Sequence, residues 1–383
     1  MSTTMRIRDV ASVERLAEPA SSDRSWLLNL DVIEKDTGRI REKVYVESGR
    51  LCGSIVPFSK ASVLYSKLRP NLNKVVLPDE DGFATTELLP LKVNSSFIRR
   101  EYLAVYLRSQ RFVSYAVNAV AGAKMPRISR TAVLDAPIPI PDLAMQDEIV
   151  SELNAVCGNL QSLTDLSDVL DELVKSRFIE MFGDPIENPF GWDTKPLGEL
   201  GELKNGVNFK SVDSGTEIRC LGVGDFKDRY QISDMDLISI VSLNGKPNES
   251  QMLRDGDIVF VRSNGNKQLV GRCLAVFPGD EEVTFSGFCI RFRNESDGLL
   301  LDYLLGCLKS DSMRKAMTGR GANIQNLSQK ILSGVVMPMP PIALQQEFAA
   351  FVQKVDKLKF ETQQAIGKLQ MLYDSLAQEY FGS

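Results

Sequence analysis

Apolar residues along this chain follow two rhythms. Between 342 and 383, Phe351, Val355, Leu358, Thr362, Ala365, Leu369, Leu372 and Leu376 alternate spacings of four and three, the seam of a heptad helix. Between 144 and 183, Val156, Leu163, Leu166, Leu170 and Leu173 occupy the matching register, and no proline interrupts either stretch. Each stretch predicts a helix of roughly 55–60 Å at 1.5 Å per residue. Exposed seams of that length are costly unless paired, so the two helices are expected to form an antiparallel coiled coil holding globular blocks apart. The alternative is two separate helices, each lying on its own domain.

The second rhythm is short alternation broken at Gly, Pro and Asn. Lys43–Glu47, Val63–Tyr65, Lys74–Leu77, Ile258–Val261 and Phe288–Arg293 read as strands of mostly antiparallel sheets. Residues 99–120 and 299–317 read as one helix each. The Pro-x-Pro pairs at 139/141 and 338/340 cannot continue a helix or sit in a central strand, and predict stiff lead-ins to the long helices.

These elements are written twice. Ile138-Pro139-Ile140-Pro141, followed by Gln146 and Glu148, returns as Met337-Pro338-Met339-Pro340, followed by Gln345 and Glu347, at an offset of 199 residues. The same offset relates Leu170 to Leu369 and Glu180–Gly183 to Glu379–Gly382, while Tyr102 and Tyr303 are related by 201. Turn residues cluster at Gly183-Asp184-Pro185 and Asn188-Pro189. The expected blocks are 1–143 globular, 144–183 helical, 184–341 globular and 342–383 helical. The fold class is α+β: two β-rich domains with helices, joined by two long helices in a pseudo-twofold molecule. The second copy stops where a third domain would have begun.

Composition narrows the chemistry. The chain has 383 residues and no histidine, which removes the commonest general base and metal ligand. Its six cysteines form no C-x-x-C pair, so reduced thiols in a cytoplasmic protein are expected. No signal peptide, membrane span or phosphate-binding P-loop is visible. Net charge is −5, but it is unevenly shared. Residues 1–143 carry 21 Lys and Arg against 16 Asp and Glu, whereas residues 144–183 carry 2 against 8. The globular blocks therefore have cations enough for local basic faces.

The ordered set of motifs resembles the specificity subunit of type I restriction–modification systems. It comprises the Pro-x-Pro lead-in, the Gln-x-Glu helix start, and the helix closing at Arg177-Phe178…Phe182-Gly183-Asp184-Pro185. The openings Trp192…Leu197-Gly198-Glu199-Leu200 and Leu221-Gly-Val-Gly-Asp225-Phe226 are similar to the start of that family's target recognition domain. The chain lacks a helical segment before its first globular block, which the cyclic repeat of the family allows.

The resemblance implies two recognition domains, each reading one half of an asymmetric bipartite site in double-stranded DNA. The helices would be the ruler between the halves and the dock for two methyltransferase subunits that methylate adenine. Restriction and translocase subunits would complete the assembly. It further implies that this chain is no enzyme and holds no cofactor, with S-adenosylmethionine, ATP and magnesium belonging to the partner subunits.

Base edges are read by planar hydrogen-bonding groups, Arg for guanine and Asn or Gln for adenine, while Lys and Arg on phosphate add affinity. In the first domain the candidate readers are Lys67, Arg69, Asn71, Asn73 and Lys74 after one strand, and Lys124, Arg127 and Arg130 near Gly122. In the second they are Arg262, Asn264, Asn266, Lys267 and Gln268, and then Arg320, Asn323, Gln325 and Asn326. The competing reading of each is a polar turn facing water. Arg108, Arg111, Arg314 and Lys315 could reach phosphates, but a solvated helix face suits them better. Asn188-Pro189-Phe190 is similar to the Asn-Pro-Pro-aromatic motif of adenine methyltransferases but lacks the second proline and reads as a turn. The runs Asp79–Asp81 and Asp280–Glu282 read as loop tips rather than a metal site. A protein–protein adaptor and a carboxylate-based enzyme are the rival functions.

Overall fold

A computed structural model describes residues 3–16, 24–47, 54–121, 125–209, 214–226, 229–318 and 326–382. The chain forms two compact units, one comprising Met1–Leu166 with Thr362–Ser383 and the other Ser167–Glu361.

In the first unit a four-stranded sheet runs in the order Ala11–Val13, Leu88–Val93, Val63–Ser66, Val75–Val76, antiparallel throughout. A second four-stranded sheet runs Val44–Glu47, Arg24–Leu28, Gly82–Thr85, Ile55–Phe58, with its central pair parallel. The alternation of side chains splits the first sheet between two cores. Val63, Tyr65, Val75, Leu89 and Leu91 pack with Tyr102, Tyr106 and Phe112. Leu64, Val76 and Leu88 pack with Trp26 and Phe58 of the other sheet. A sheet buried on both faces needs continuous apolar runs, and Val63–Ser66 is buried along its whole length.

The second unit repeats the plan. Its larger sheet runs Gly201–Asn205, Cys289–Asn294, Asp257–Val261, Cys273–Val276, Gln231–Ile232, the last strand parallel to its neighbour. Its smaller sheet runs Ile240–Leu243, Thr216–Leu221, Val283–Phe285. Ile258, Phe260, Ile290 and Phe292 face one core, and Val259, Val261, Leu274 and Val276 face the other.

The single helices expected over 99–120 and 299–317 are each two. Arg100–Arg108 and Gln110–Asn118 meet at Ser109, whose ψ of 148° leaves the helical region. Leu301–Lys309 and Asp311–Thr318 meet at Ser310, with ψ 146°. Each serine caps the following helix, its Oγ accepting from Phe112 N at 3.4 Å or Met313 N at 3.3 Å. A serine that satisfies an otherwise orphaned N–H makes a new helix start where an apolar pattern alone continues unbroken.

The long helices span Leu143–Phe182 and Ile342–Phe381. Their pairing is antiparallel in both units. In the first, the Tyr380 hydroxyl donates to Glu152. In the second, Arg177 meets Glu347 at 2.8 Å and Lys359 meets Asp171. The expected seam is only partly right: Leu166, Leu173, Leu358 and Leu372 are 43–50% exposed. The buried stripe instead runs Leu170, Val174, Phe178, Phe182, spaced by four. These residues face a globular core as well as the partner helix, and a straight helix drifts from a strict seven-residue repeat.

The helix starts are fixed by the two glutamines of the repeat, both fully buried. Gln146 Nε2 donates to the carbonyls of Phe97 and Pro141, and its Oε1 accepts from Arg99 N at 2.8 Å. Gln345 makes the same three bonds, to Gly298, Pro340 and Leu300. The Pro-x-Pro segments are edge strands of two-stranded ribbons, Pro137–Ile140 with Thr3–Arg6 and Val336–Pro338 with Thr194–Pro196. Tyr102 and Tyr303 hydroxyls donate to the carbonyls of Pro139 and Pro338.

Candidate nucleic-acid interface

In each unit the backbone joins the two candidate loops side by side. Leu68 and Arg127 form a bridge, Ile128 N donates to Lys67 O at 3.1 Å, and Arg69 N donates to Pro126 O at 2.8 Å. In the second unit Ser263 and Asn326 form a bridge, and Leu327 N donates to Arg262 O at 2.8 Å. Lys67 and Arg262 each directly follow a buried strand, Val63–Ser66 and Asp257–Val261, so a rigid element aims both loops. Segments remote in sequence thereby become one polar surface in each unit.

The individual side chains divide. Arg69 and Asn71 are exposed, with Arg69 held in the left-handed region at φ 50° before the turn Pro70–Leu72. Asn73 and Lys74 turn inward: Asn73 Nδ2 donates to Arg108 O at 2.9 Å, and Lys74 Nζ donates to Leu30 O at 2.6 Å. These two shape the loop rather than present a free reading group. Arg127 is exposed but bonded to Glu87 through Nε at 3.0 Å and Nη2 at 2.9 Å. Arg130 is exposed in the first turn of a short helix capped by Ser129. Lys67 is half-buried, and Lys124 lies outside the described residues.

In the second unit Asn264 Oδ1 accepts from Asn266 N, and Asn266 Oδ1 accepts from Gln268 N, at 2.8 and 3.0 Å. Two successive side-chain turns therefore build this loop, the conformational use of asparagine that also makes it common in solvated turns. Asn266, Gln268 and Asn326 are exposed, Asn264 and Arg262 half-buried. The Lys267 side chain, Arg320, Asn323 and Gln325 lie outside the described residues.

The helix cations do neither thing expected of them in the first unit. Arg108 is half-buried and donates to Val75 O at 2.7 Å, and Arg111 donates to Phe381 O. Arg314 donates to the carbonyl of Gln268, buttressing the candidate loop, while Lys315 is exposed. Sequence reasoning missed Glu87 as the partner of Arg127, a pairing that only the fold brings within reach.

Burial pushes the Cys220 and Cys307 thiols up to about 12 and Cys273 up to about 11, which keeps them protonated near neutrality. Asp79 and Glu80 are engaged by Lys43, and Glu281 and Glu282 by Arg219 and Lys246. Among the described residues no cluster could hold a metal ion, and no helix is long and apolar enough to cross a membrane.

Comparison with known proteins supplies the class. The family model of the type I restriction modification DNA specificity domain matches residues 189–370. The type I restriction enzyme StySPI specificity subunit of Salmonella potsdam is 22% identical over 306 residues, covering 74% of this chain and 65% of that protein. The EcoKI specificity subunit of Escherichia coli is 23% identical over 301 residues, covering 73% and 64%. The chain thus spans just under two thirds of the length of these relatives. A chain solved in work on complex assembly and conformational transition of the type I R-M system has the same fold. It is 19% identical, with a TM-score of 0.62, covering 99% of this chain and 97% of that one. Residues 189–370 thus carry the match to the type I restriction modification DNA specificity domain, and the chain is similar to type I restriction enzyme specificity subunits.

Proposed function

We propose that the chain is the non-catalytic, sequence-reading subunit of a type I restriction–modification assembly. Each unit presents its paired loops to one half of a bipartite, asymmetric duplex site. Arg69, Asn71 and Arg127 supply planar donors and acceptors in one unit, and Asn264, Asn266, Gln268 and Asn326 in the other. Because the two sets differ in residue type, the two half-sites differ in sequence. Two methyltransferase subunits, with S-adenosylmethionine, modify adenine. Restriction and translocase subunits, with ATP and magnesium, cut. Nothing in the chain itself needs a cofactor.

The observation that carries this reading is the cross-loop bridge, Leu68–Arg127 and Ser263–Asn326, which recurs in both units and unites the Arg, Asn and Gln side chains. Adenine methylation mapped across a genome expressing the chain with its methylating partners tests it. Exchanging residues 1–138 for those of another family member is expected to change one half of the methylated motif and leave the other. A change in both halves, or in neither, refutes the assignment of one half-site to each unit.

A further inference from the structure

A large apolar side chain stands in the polar surface of the second unit. Phe288 is 61% exposed, yet its backbone is held on both sides. Its carbonyl accepts from Arg262 N at 2.8 Å and Ser263 N at 3.3 Å, and its N–H donates to Ser286 Oγ at 3.3 Å. Before it, Gly287 N donates to Val207 O at 2.6 Å. A Cβ added at Gly287 would come within 2.0 Å of Asn208 Oδ1, so the turn has no room for a side chain there. After it, fully buried Cys289 opens the strand Cys289–Asn294. The ring therefore faces water from a fixed backbone.

Exposed apolar groups scattered singly need no functional explanation, so the position of this one is what counts. Arg262 and Ser263, which bond its carbonyl, also carry the hydrogen bond to Leu327 and the bridge to Asn326 that join the two candidate loops. Phe288 thus leaves the same backbone junction as Asn264 and Asn326. The first unit fills this position differently. Lys67 N donates to Glu87 O at 2.9 Å as Arg262 N does to Phe288 O. Glu87 and Phe288 each precede the strand that pairs with the strand leading into the loop. Glu87 therefore corresponds to Phe288, and Arg127, which Glu87 holds, corresponds to Asn326.

We propose that Phe288 is a specificity-determining residue of the second unit, its ring packing on the C5-methyl group of a thymine in the half-site read by the adjoining loops. This deepens the DNA-reading function proposed above and rests on it. The major-groove edge of the base pairs offers donors, acceptors and one apolar group, the thymine methyl. A ring set among polar readers has that methyl as its complement. The loops beside it carry Asn264, Asn266, Gln268 and Asn326, the side-chain types that read adenine. Amides on adenine and a ring on a thymine methyl suit the same or neighbouring A·T pairs.

The test uses the full chain assembled with its methylating subunits and a duplex carrying the mapped target. Exchange of residues 1–138 identifies the half-site that belongs to the second unit. Each thymine of that half is replaced in turn by deoxyuracil, which removes only the methyl. For the wild type, one replacement is expected to weaken binding about fourfold, the effect of burying one methyl-sized group. Phe288→Ala, on an exposed side chain, is expected to bind the thymine and uracil duplexes equally, and Phe288→Leu to keep the preference for thymine. If the wild type and Phe288→Ala respond alike to every replacement, the thymine contact is refuted while the reading function stands. A ring wedged between base steps would make Phe288→Ala lose affinity for target and random duplexes by the same factor, with no uracil effect, and that result also overturns the proposal. If the wild-type assembly does not prefer its target to random duplex, the reading function itself fails and the contact with it.

Discussion

The two units build one plan from different side chains, and the differences compensate. In the second unit Phe178 packs against Gly306, where an added Cβ would come within 2.4 Å of the ring. The counterparts in the first unit are Ala377 and Val105, both in its main core. Volume removed from the short helix is thus returned on the long one. The aromatic anchor around this exchange is retained, with Phe182 and Tyr303 at 4.7 Å between ring centres in one unit and Phe381 and Tyr102 at 5.8 Å in the other. Among the buried polar groups the contrast is one of charge. The first unit buries Glu14 among the hydroxyls of Ser59 and Ser62. The second buries Arg291 and Asp257, bridged through Arg293 and Glu202. Close packing tolerates such exchanges only when both sides change together.

The charged cluster offers the severest way to break the comparison. Arg291 is fully buried, its Nε and Nη1 make no hydrogen bond, and buried Asp257 lies 3.9 Å from Nη1 as a counter-charge. Asp257→Ala is expected to destabilise the second unit by about 3–5 kcal/mol, because it removes the buried carboxylate that Arg293 holds at 2.7 Å and leaves Arg291 with Glu202 as its remaining counter-charge. Ser62→Ala in the first unit removes one hydroxyl from Glu14 and is expected to cost about 1–3 kcal/mol. Chemical denaturation of the two variants measures the difference, and equal losses would show that the two clusters are energetically alike.

The volume exchange predicts a smaller but more specific effect. Gly306→Val forces the Phe178 ring aside and is expected to cost about 1–3 kcal/mol. Adding Phe178→Ala reproduces the side-chain pair of the first unit and should recover part of that loss. The double-mutant cycle then shows a coupling of about 0.5–3 kcal/mol between the two positions. A strictly additive double variant would mean that the alignment of the two units here is accidental. The mildest test concerns what the units share: Ser109→Ala and Ser310→Ala should each cost about 1 kcal/mol, and by similar amounts, since both cap the second short helix.

The long helices and the repeat were legible because they rest on residues whose role is local or periodic. The leucine seam reports a helix, and Gln146 and Gln345 mark its start whatever they bond to. What escaped depends on neighbours distant along the chain. Leu173 and Leu372 fit the heptad yet face solvent, because the Phe178 and Phe381 ends of the helices turn their buried stripe toward a sheet core. Ser109 and Ser310 split helices that the apolar pattern continues. At the candidate interface, loop composition marked segments that the backbone brings together, but Asn73 and Lys74 are spent on carbonyls of Arg108 and Leu30 from other parts of the fold.

The clasp between Arg127 and Glu87 gives the first unit a threshold. A guanidinium already holding a carboxylate engages a base only when the new bonds exceed the old, and a duplex that offers phosphates alone presents that same contest without a bidentate reward. Under the reading role proposed for Arg127, chance sequences would thereby be disfavoured before any mismatch is felt, and selectivity at that loop would begin with the competitor the protein carries rather than with the DNA it meets.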